Sequence, residues 1–151
     1  MNPAMNEPTL QELVGSDDGE SMDALLAKAE GVIAGLQDQF AEGTQTRIDR
    51  LCDLFRGGWD AVATRETTVR EMRRIAHDLK GEAGTFGFGL TTEIAELLGV
   101  YLRQTPVAGQ HREIVAGYID AISLVWNERI EGEGDDAGRA LLHRLVRLTA
   151  V

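Results

Sequence analysis

Apolar residues recur at steps of three and four along most of this 151-residue chain, and this spacing constrains the fold more than any other feature. The spacing places the apolar side chains on one face of an α-helix, and no stretch alternates as a half-buried strand would. We therefore expect an all-α protein whose amphipathic helices pack their apolar faces together. The pattern predicts an antiparallel helical bundle with an additional helix at each end.

The individual helices follow from these apolar faces and from the breakers between them. The first is predicted from Met22 to about Ala41 and the second from Thr46 to Ala63, and a capping-box spacing marks the start of the third at Thr68. The glycine-rich segment GTFGFG ends the third helix, and Pro106 ends the fourth. The predicted apolar faces are Leu25, Leu26, Val32, Ile33, Leu36 and Phe40; Ile48, Leu51, Cys52, Phe55, Trp59 and Val62; Val69, Met72, Ala76, Leu79 and Ala83; Leu90, Ile94, Leu97, Leu98 and Tyr101; Ile114, Val115, Tyr118, Ile122, Val125 and Trp126; and Leu141, Leu142, Leu145, Val146 and Leu148.

The chain is long enough for one domain with a substantial core. Residues 1–20 are polar and acidic, and we expect a flexible leader there. Residues 21–151 are expected to form a single domain, with a core bundle over about 44–131 and an accessory C-terminal helix over about 137–149. The N-terminus lacks the basic start and apolar run of a signal peptide, and no segment approaches a membrane span, so we expect a soluble cytoplasmic protein.

Composition excludes several classes of function. The chain has 25 acidic and 15 basic residues, a net charge of −10, which argues against a general nucleic-acid binder. The single Cys52 cannot form an internal disulfide and is expected to be buried in a protein of a reducing compartment. No phosphate-binding loop is present, so ATP-dependent chemistry and a nucleotide cofactor are not expected. The three histidines lie far apart without ligand-spaced partners, so no metal is expected.

His77 is the residue whose surroundings most favour chemistry. Helical spacing places Arg70, Arg73, Arg74, Lys80, Gly81 and Gly84 on its side of the third helix, away from the apolar face. A solvent-facing imidazole is a nucleophile, nearby cations attract an anionic phosphoryl group, and glycines let another protein approach. Each feature alone is typical of a solvated helix face or of a helix end, but their combination at one place is harder to explain in that way.

The segment HDLKGEAGTFG, residues 77–87, resembles the signature of the histidine-containing phosphotransfer (HPt) domain. Seven positions are in register with it, and a looser resemblance continues through the helix from Leu90 to Arg103. These matching positions are His77, Leu79, Lys80, Gly81, Ala83, Gly84 and Gly87.

This resemblance implies an up-and-down four-helix bundle that relays a phosphoryl group between the aspartyl phosphates of receiver domains, downstream of a hybrid histidine kinase. It implies that His77 is the phosphoacceptor through Nε2 and that Lys80 offsets phosphate charge. The glycines at 81 and 84 would leave room for the acidic pocket of the receiver. Because that pocket is acidic, we also predict that Arg70, Arg73 and Arg74 contact this partner and accelerate association.

Three points stay open at this stage. Members of the family often place a glutamine or glutamate near the second histidine nitrogen. Here a gapless continuation of the match puts Gly99 at that position. Glu96 and Glu93 are therefore the candidates for this contact, and Arg103 is a candidate for contact with phosphate. A helical adaptor that docks a partner through the same face without carrying phosphate is the alternative function. We expect a monomer, although the terminal helices also suit a dimer.

Overall fold

The computed structural model describes residues 18–132 and 134–150, so the predicted leader lies outside the described residues except for its last three positions. The described chain contains five α-helices, a short 3₁₀ helix and no strand. It divides into two units, Met1–Gln39 and Phe40–Val151, and the boundary falls within the first helix. The helices are α1 (Asp18–Gly58), α2 (Val62–Thr85), α3 (Gly89–Gln104), α4 (Arg112–Asn127) and α5 (Asp136–Ala150), with the 3₁₀ helix at Val107–Gly109.

The first two predicted helices are in fact one, because α1 runs without a break from Asp18 to Gly58. The expected interruption at residues 42–45 was wrong. Gly43 is the only breaker there, and a single interior glycine costs only about 1 kcal/mol relative to alanine. The Thr46 hydroxyl donates to the Glu42 carbonyl at 2.9 Å, and Phe40, Thr44 and Ile48 bury one continuous face.

The start of α2 also differs from the prediction. The helix begins at Val62 rather than near Thr68, and Val62 is exposed instead of belonging to the apolar face of α1. Thr68 lies buried inside α2, and the Glu71 carboxylate pairs with Arg50 of α1 at 3.2 Å rather than capping a helix end. The Thr64 hydroxyl, donating to the Gly58 carbonyl at 2.7 Å, helps to hold the turn between α1 and α2.

The helices α3 and α4 confirm the predictions most closely. Helix α3 ends at Gln104, two residues before Pro106, as the proline predicts. The predicted apolar faces of both helices are buried, except that Leu97 and Ile114 are only partly so. Together with Leu51, Phe55, Met72 and Leu79 from α1 and α2, they form the core of the second unit.

Helix α5 packs on this core mainly through Leu142 and Leu145, whereas Val146 and Leu148 are exposed. The Tyr118 hydroxyl of α4 donates to the Thr149 hydroxyl at 3.2 Å, and burial raises the pKa of Tyr118. Cys52 is half-buried rather than buried, with its Sγ 3.9 Å from the Ser123 hydroxyl.

The GTFGFG segment turns the chain from α2 into α3. Gly87 adopts a φ of 87°, a conformation that favours glycine. Phe86 stacks on Phe40 with ring centroids 4.2 Å apart, and Phe88 packs edge-on against Trp126. These aromatic contacts hold the end of α2, so the loop is well anchored beside the face that carries His77.

None of the described helices combines the length and the apolar character needed to cross a membrane.

Candidate functional site

His77 lies in the third quarter of α2, and its side chain is 83% exposed. The opposite face of the helix is anchored in the core by Met72, Ala76 and Leu79, which are fully buried. Because packed residues on both sides of position 77 fix the backbone, the imidazole is presented to solvent from a rigid element.

A cleft of about 530 Å³ opens between α2 and α3 on one side of His77. Its lining is unusually basic for a chain with a net charge of −10. None of its four arginines forms an ion pair with a carboxylate in the part of the chain that the structure describes. The cleft therefore offers several guanidinium groups to an incoming anion. The lining residues that matter here are Arg70, Arg73, Arg74, His77, Lys80, Glu96, Gly99 and Arg103.

Lys80 also lines this cleft, with its Nζ 3.2 Å from the Glu96 carboxylate. Both side chains are about half exposed, at 46% and 51%. Exposed ion pairs of this kind are typically worth about 0.2–1 kcal/mol, so the Lys80 ammonium can turn toward a competing anion at little cost.

The other side of His77 is lined by charged residues that the sequence analysis did not single out. Arg47 of α1 donates to the Glu82 carboxylate at 2.7 Å and lies 4.0 Å from Asp78. These contacts cross between helices that are distant in sequence, so no periodicity could have placed Arg47 beside the histidine. The only available signal was that Asp78 and Glu82 are four apart and share one side of α2.

The sequence left Glu96 and Glu93 as candidates to hydrogen-bond the second imidazole nitrogen of His77. Glu96 lies in the same cleft as His77, but its carboxylate pairs with Lys80, and the Glu93 carboxylate pairs with Arg139 at 2.7 Å. Among the described residues, the nearest carboxylate oxygen to His77 Nδ1 is that of Asp78, at 3.6 Å. This separation is beyond hydrogen-bond length, so Asp78 does not hydrogen-bond the imidazole in this structure.

The glycines beside His77 have different surroundings. A Cβ at Gly81 would meet nothing within 4 Å, so this position leaves open space next to the imidazole. A Cβ at Gly84 would lie 3.3 Å from the Thr92 hydroxyl of α3, a tight contact. Gly84 therefore also lets α2 and α3 approach each other, close to where the Thr92 hydroxyl donates to the Lys80 carbonyl.

The remaining histidines lie elsewhere. His111 precedes α4, and its backbone N–H donates to the Tyr101 hydroxyl at 2.8 Å, while His143 is exposed on α5. No group of three or more potential metal ligands occurs among the described residues.

A comparison with known protein families assigns the chain to one of them. The family model for the Hpt domain matches residues 35–131, which is more than half of the chain. The chain therefore belongs to the Hpt domain family. Neither the curated proteins nor the solved structures gave a significant match.

Membership in this family indicates a phosphotransfer-related function in two-component signalling systems. Domains of this family are phosphocarrier modules without kinase activity, and they interact with histidine kinases and response regulators.

Proposed function

We propose that this protein relays a phosphoryl group between the receiver domains of a phosphorelay, with His77 as the residue that carries it. The observation that supports this most is the placement of His77, 83% exposed on a rigid helix, between open space at Gly81 and a basic cleft. An imidazole in this position can reach a phosphoryl group held in another protein's pocket.

In the forward step, the lone pair on His77 Nε2 attacks the phosphorus of an aspartyl phosphate. The new N–P bond forms as the P–O bond to the aspartate breaks, and the aspartate carboxylate leaves with the electron pair. The proton on Nδ1 stays in place, and the Asp78 carboxylate 3.6 Å away stabilises the positive charge that develops on the ring. The second receiver takes the phosphoryl group by the reverse reaction.

The cations near His77 would reduce the electrostatic repulsion between this acidic protein and a phosphorylated, acidic receiver. Lys80 is close enough along the helix to reach the transferred phosphoryl oxygens, because it lies three residues from His77. The cleft arginines would contact the acidic rim of the receiver. Charge complementarity of this kind mainly accelerates association.

We also propose which helices of the chain form the four-helix bundle. We assign the up-and-down four-helix bundle of the family to the second part of α1 with α2, α3 and α4, and we treat the first part of α1 and α5 as additions. The upstream partner would be a hybrid histidine kinase, since the chain supplies no nucleotide-binding motif.

The proposal is tested by incubating the purified protein with a panel of receiver domains labelled from radioactive acetyl phosphate. We expect label on this protein in an acid-labile, base-stable form, which is the behaviour of phosphohistidine. If receivers bind to the protein but no receiver transfers label to it, the protein is a docking module that uses the same face.

Charge reversal at Arg74 should slow association with the receiver. Arg74 is exposed in the cleft beside His77 and has no carboxylate partner among the described residues. We expect Arg74→Glu to lower the association rate constant by about 3- to 10-fold at low ionic strength and to weaken its salt dependence. Stopped-flow fluorescence with a receiver that transfers label measures both quantities.

The matched control for this experiment is Arg144→Glu, which makes the same charge change at an exposed position on α5. It alters the net charge equally but leaves the cleft intact. Equal slowing by both variants would show that net charge alone sets the rate, and would contradict a specific role for Arg74.

A further inference from the structure

The basic cleft beside His77 is longer than a single phosphoryl group requires. Arg70 lines the cleft but lies seven residues before His77, about 10 Å away along the axis of α2. Side chains on a helix lean toward its N-terminus, so Arg70 leans away from the imidazole. A phosphoryl group on His77 therefore cannot contact both ends of the cleft, and the cations at the far end are left for a different anion.

The two walls of the cleft both carry arginines. The ion pair between Lys80 and Glu96 fixes the antiparallel register of α2 and α3. In this register Arg103, seven residues after Glu96, falls opposite Arg73, seven residues before Lys80, and both arginines line the cleft. An anion between the helices would therefore meet guanidinium groups from both walls, each of which can bind a phosphoryl group through two hydrogen bonds.

Small residues line the cleft between these walls, namely Ala76, Ala95 and Gly99. Packing does not require the glycine, because a Cβ at position 99 would make an ordinary contact, 3.8 Å from the Cβ of Ala76. A glycine inside a helix weakens it relative to alanine. The glycine does keep the cleft open, and the volume of about 530 Å³ lies within the range of small-molecule binding sites.

The charge of the cleft indicates the chemistry of its ligand. The lining contains five cationic side chains and a single carboxylate, that of Glu96. Among the described residues, no carboxylate pairs with any of the four arginines, although the chain carries 25 acidic residues. Like charges held this close repel one another, so an anion with several charges would stabilise the arrangement. A chain of phosphoryl groups has this charge, an extended shape and the oxygens that guanidinium groups bind.

We propose that this cleft binds a small polyanion built on a chain of phosphoryl groups, either inorganic polyphosphate or the polyphosphate of a nucleotide. Because the cleft adjoins His77, the bound ligand lies where a receiver docks and competes with it. The competition rests on the proposed function, whereas the binding site rests on the shape and charge of the cleft alone.

Isothermal titration calorimetry of the full chain with inorganic triphosphate, without divalent cations, tests the site. We expect one triphosphate to bind per chain with a dissociation constant below about 1 mM, at least about tenfold tighter than orthophosphate. ATP should bind about as tightly as triphosphate where the phosphoryl chain alone is recognised, and more tightly where the nucleoside adds contacts. An absence of saturable triphosphate binding, or equal affinities for triphosphate and orthophosphate, would overturn the proposal.

The shape of the cleft is tested without changing its charge. Gly99→Leu fills the cleft and should weaken triphosphate binding at least about tenfold. The matched control is Gly117→Leu, which makes the same change on α4, where a Cβ would meet nothing within 4 Å. This control should bind triphosphate like the unaltered protein, and circular dichroism checks that both variants are folded. Equal effects of the two variants would refute a site in the cleft.

The charge of the cleft is tested with a second pair of variants. Arg70→Gln/Arg103→Gln removes two cleft cations and should weaken triphosphate binding at least about tenfold. Arg144→Gln/Arg147→Gln removes the same charge from exposed positions on α5 and should change the affinity by no more than about twofold. Equal weakening by both double variants would show that net charge alone attracts the anion, which contradicts the proposed site.

Competition is measured with a receiver that transfers label to His77. Saturating triphosphate should slow transfer at least about fivefold in the unaltered protein, and the slowing should be smaller in Gly99→Leu. An unchanged rate, or equal slowing in both proteins, would overturn the competition. If no receiver transfers label, the proposed relay and the competition fail together, whereas calorimetry still decides the binding site.

Discussion

His77→Gln is expected to abolish phosphoryl acceptance while the protein remains folded. The glutamine amide nitrogen is not a nucleophile, so no N–P bond can form at this position. The side chain it replaces is 83% exposed, so the core loses no contact. Transfer from a labelled receiver should fall below detection, whereas the circular dichroism spectrum and thermal midpoint should stay close to those of the unaltered protein.

The controls for this prediction are His111→Gln and His143→Gln. Neither residue lies in the cleft beside His77, so each variant should accept label at the rate of the unaltered protein. Loss of transfer in either control, or its persistence in His77→Gln, would assign the phosphoryl group to a different residue.

Gly58→Ala is expected to destabilise the protein by about 1–3 kcal/mol, the range typical of overpacking. A Cβ at position 58 would overlap the hydroxyl of Thr68 and lie 3.2 Å from its Cβ. Thr68 is buried in α2, so it has little room to move away. Urea denaturation followed by circular dichroism measures the loss as a lower midpoint at an unchanged slope.

The neighbouring Gly57 provides a close control, because a Cβ there would meet nothing within 4 Å. Gly57→Ala should leave stability equal or slightly raised, since alanine favours the helix. The double variant Gly58→Ala/Thr68→Ala, which removes the obstructing side chain, should recover part of the stability that Gly58→Ala loses. Equal stability of the two single alanine variants would show that the turn between α1 and α2 relaxes freely, contrary to this prediction.

The parts of the fold that the sequence predicts well are those whose signals are local. The apolar spacing of α3 and α4 and the proline after α3 define both helices, and the structure places them accordingly. The region from residue 42 to 68 was predicted less well. Its apparent breaker, Gly43, is tolerated within a buried helix, and the apparent cap at Thr68 is a core residue.

In the candidate site, too, local sequence signals predict some features and miss those that depend on contacts between helices. His77, Lys80 and the arginines at 73 and 74 share one helix face, so helical spacing alone brings them together. The position of Arg47 and the contact between Gly84 and Thr92 depend on how helices pack against one another. Spacing within one helix carries no information about such contacts, and for that reason the sequence left the partner of the second imidazole nitrogen open.

Locating the phosphoryl group is the most direct test of the proposed relay. After brief incubation with a phosphorylated receiver, trypsin should release the peptide of residues 75–80, in which His77 is the single histidine. Mass spectrometry under neutral conditions, with fragmentation that preserves the N–P bond, should find the added phosphoryl group on His77. A phosphoryl group on another residue, or none on a protein that the receiver binds, would contradict the account.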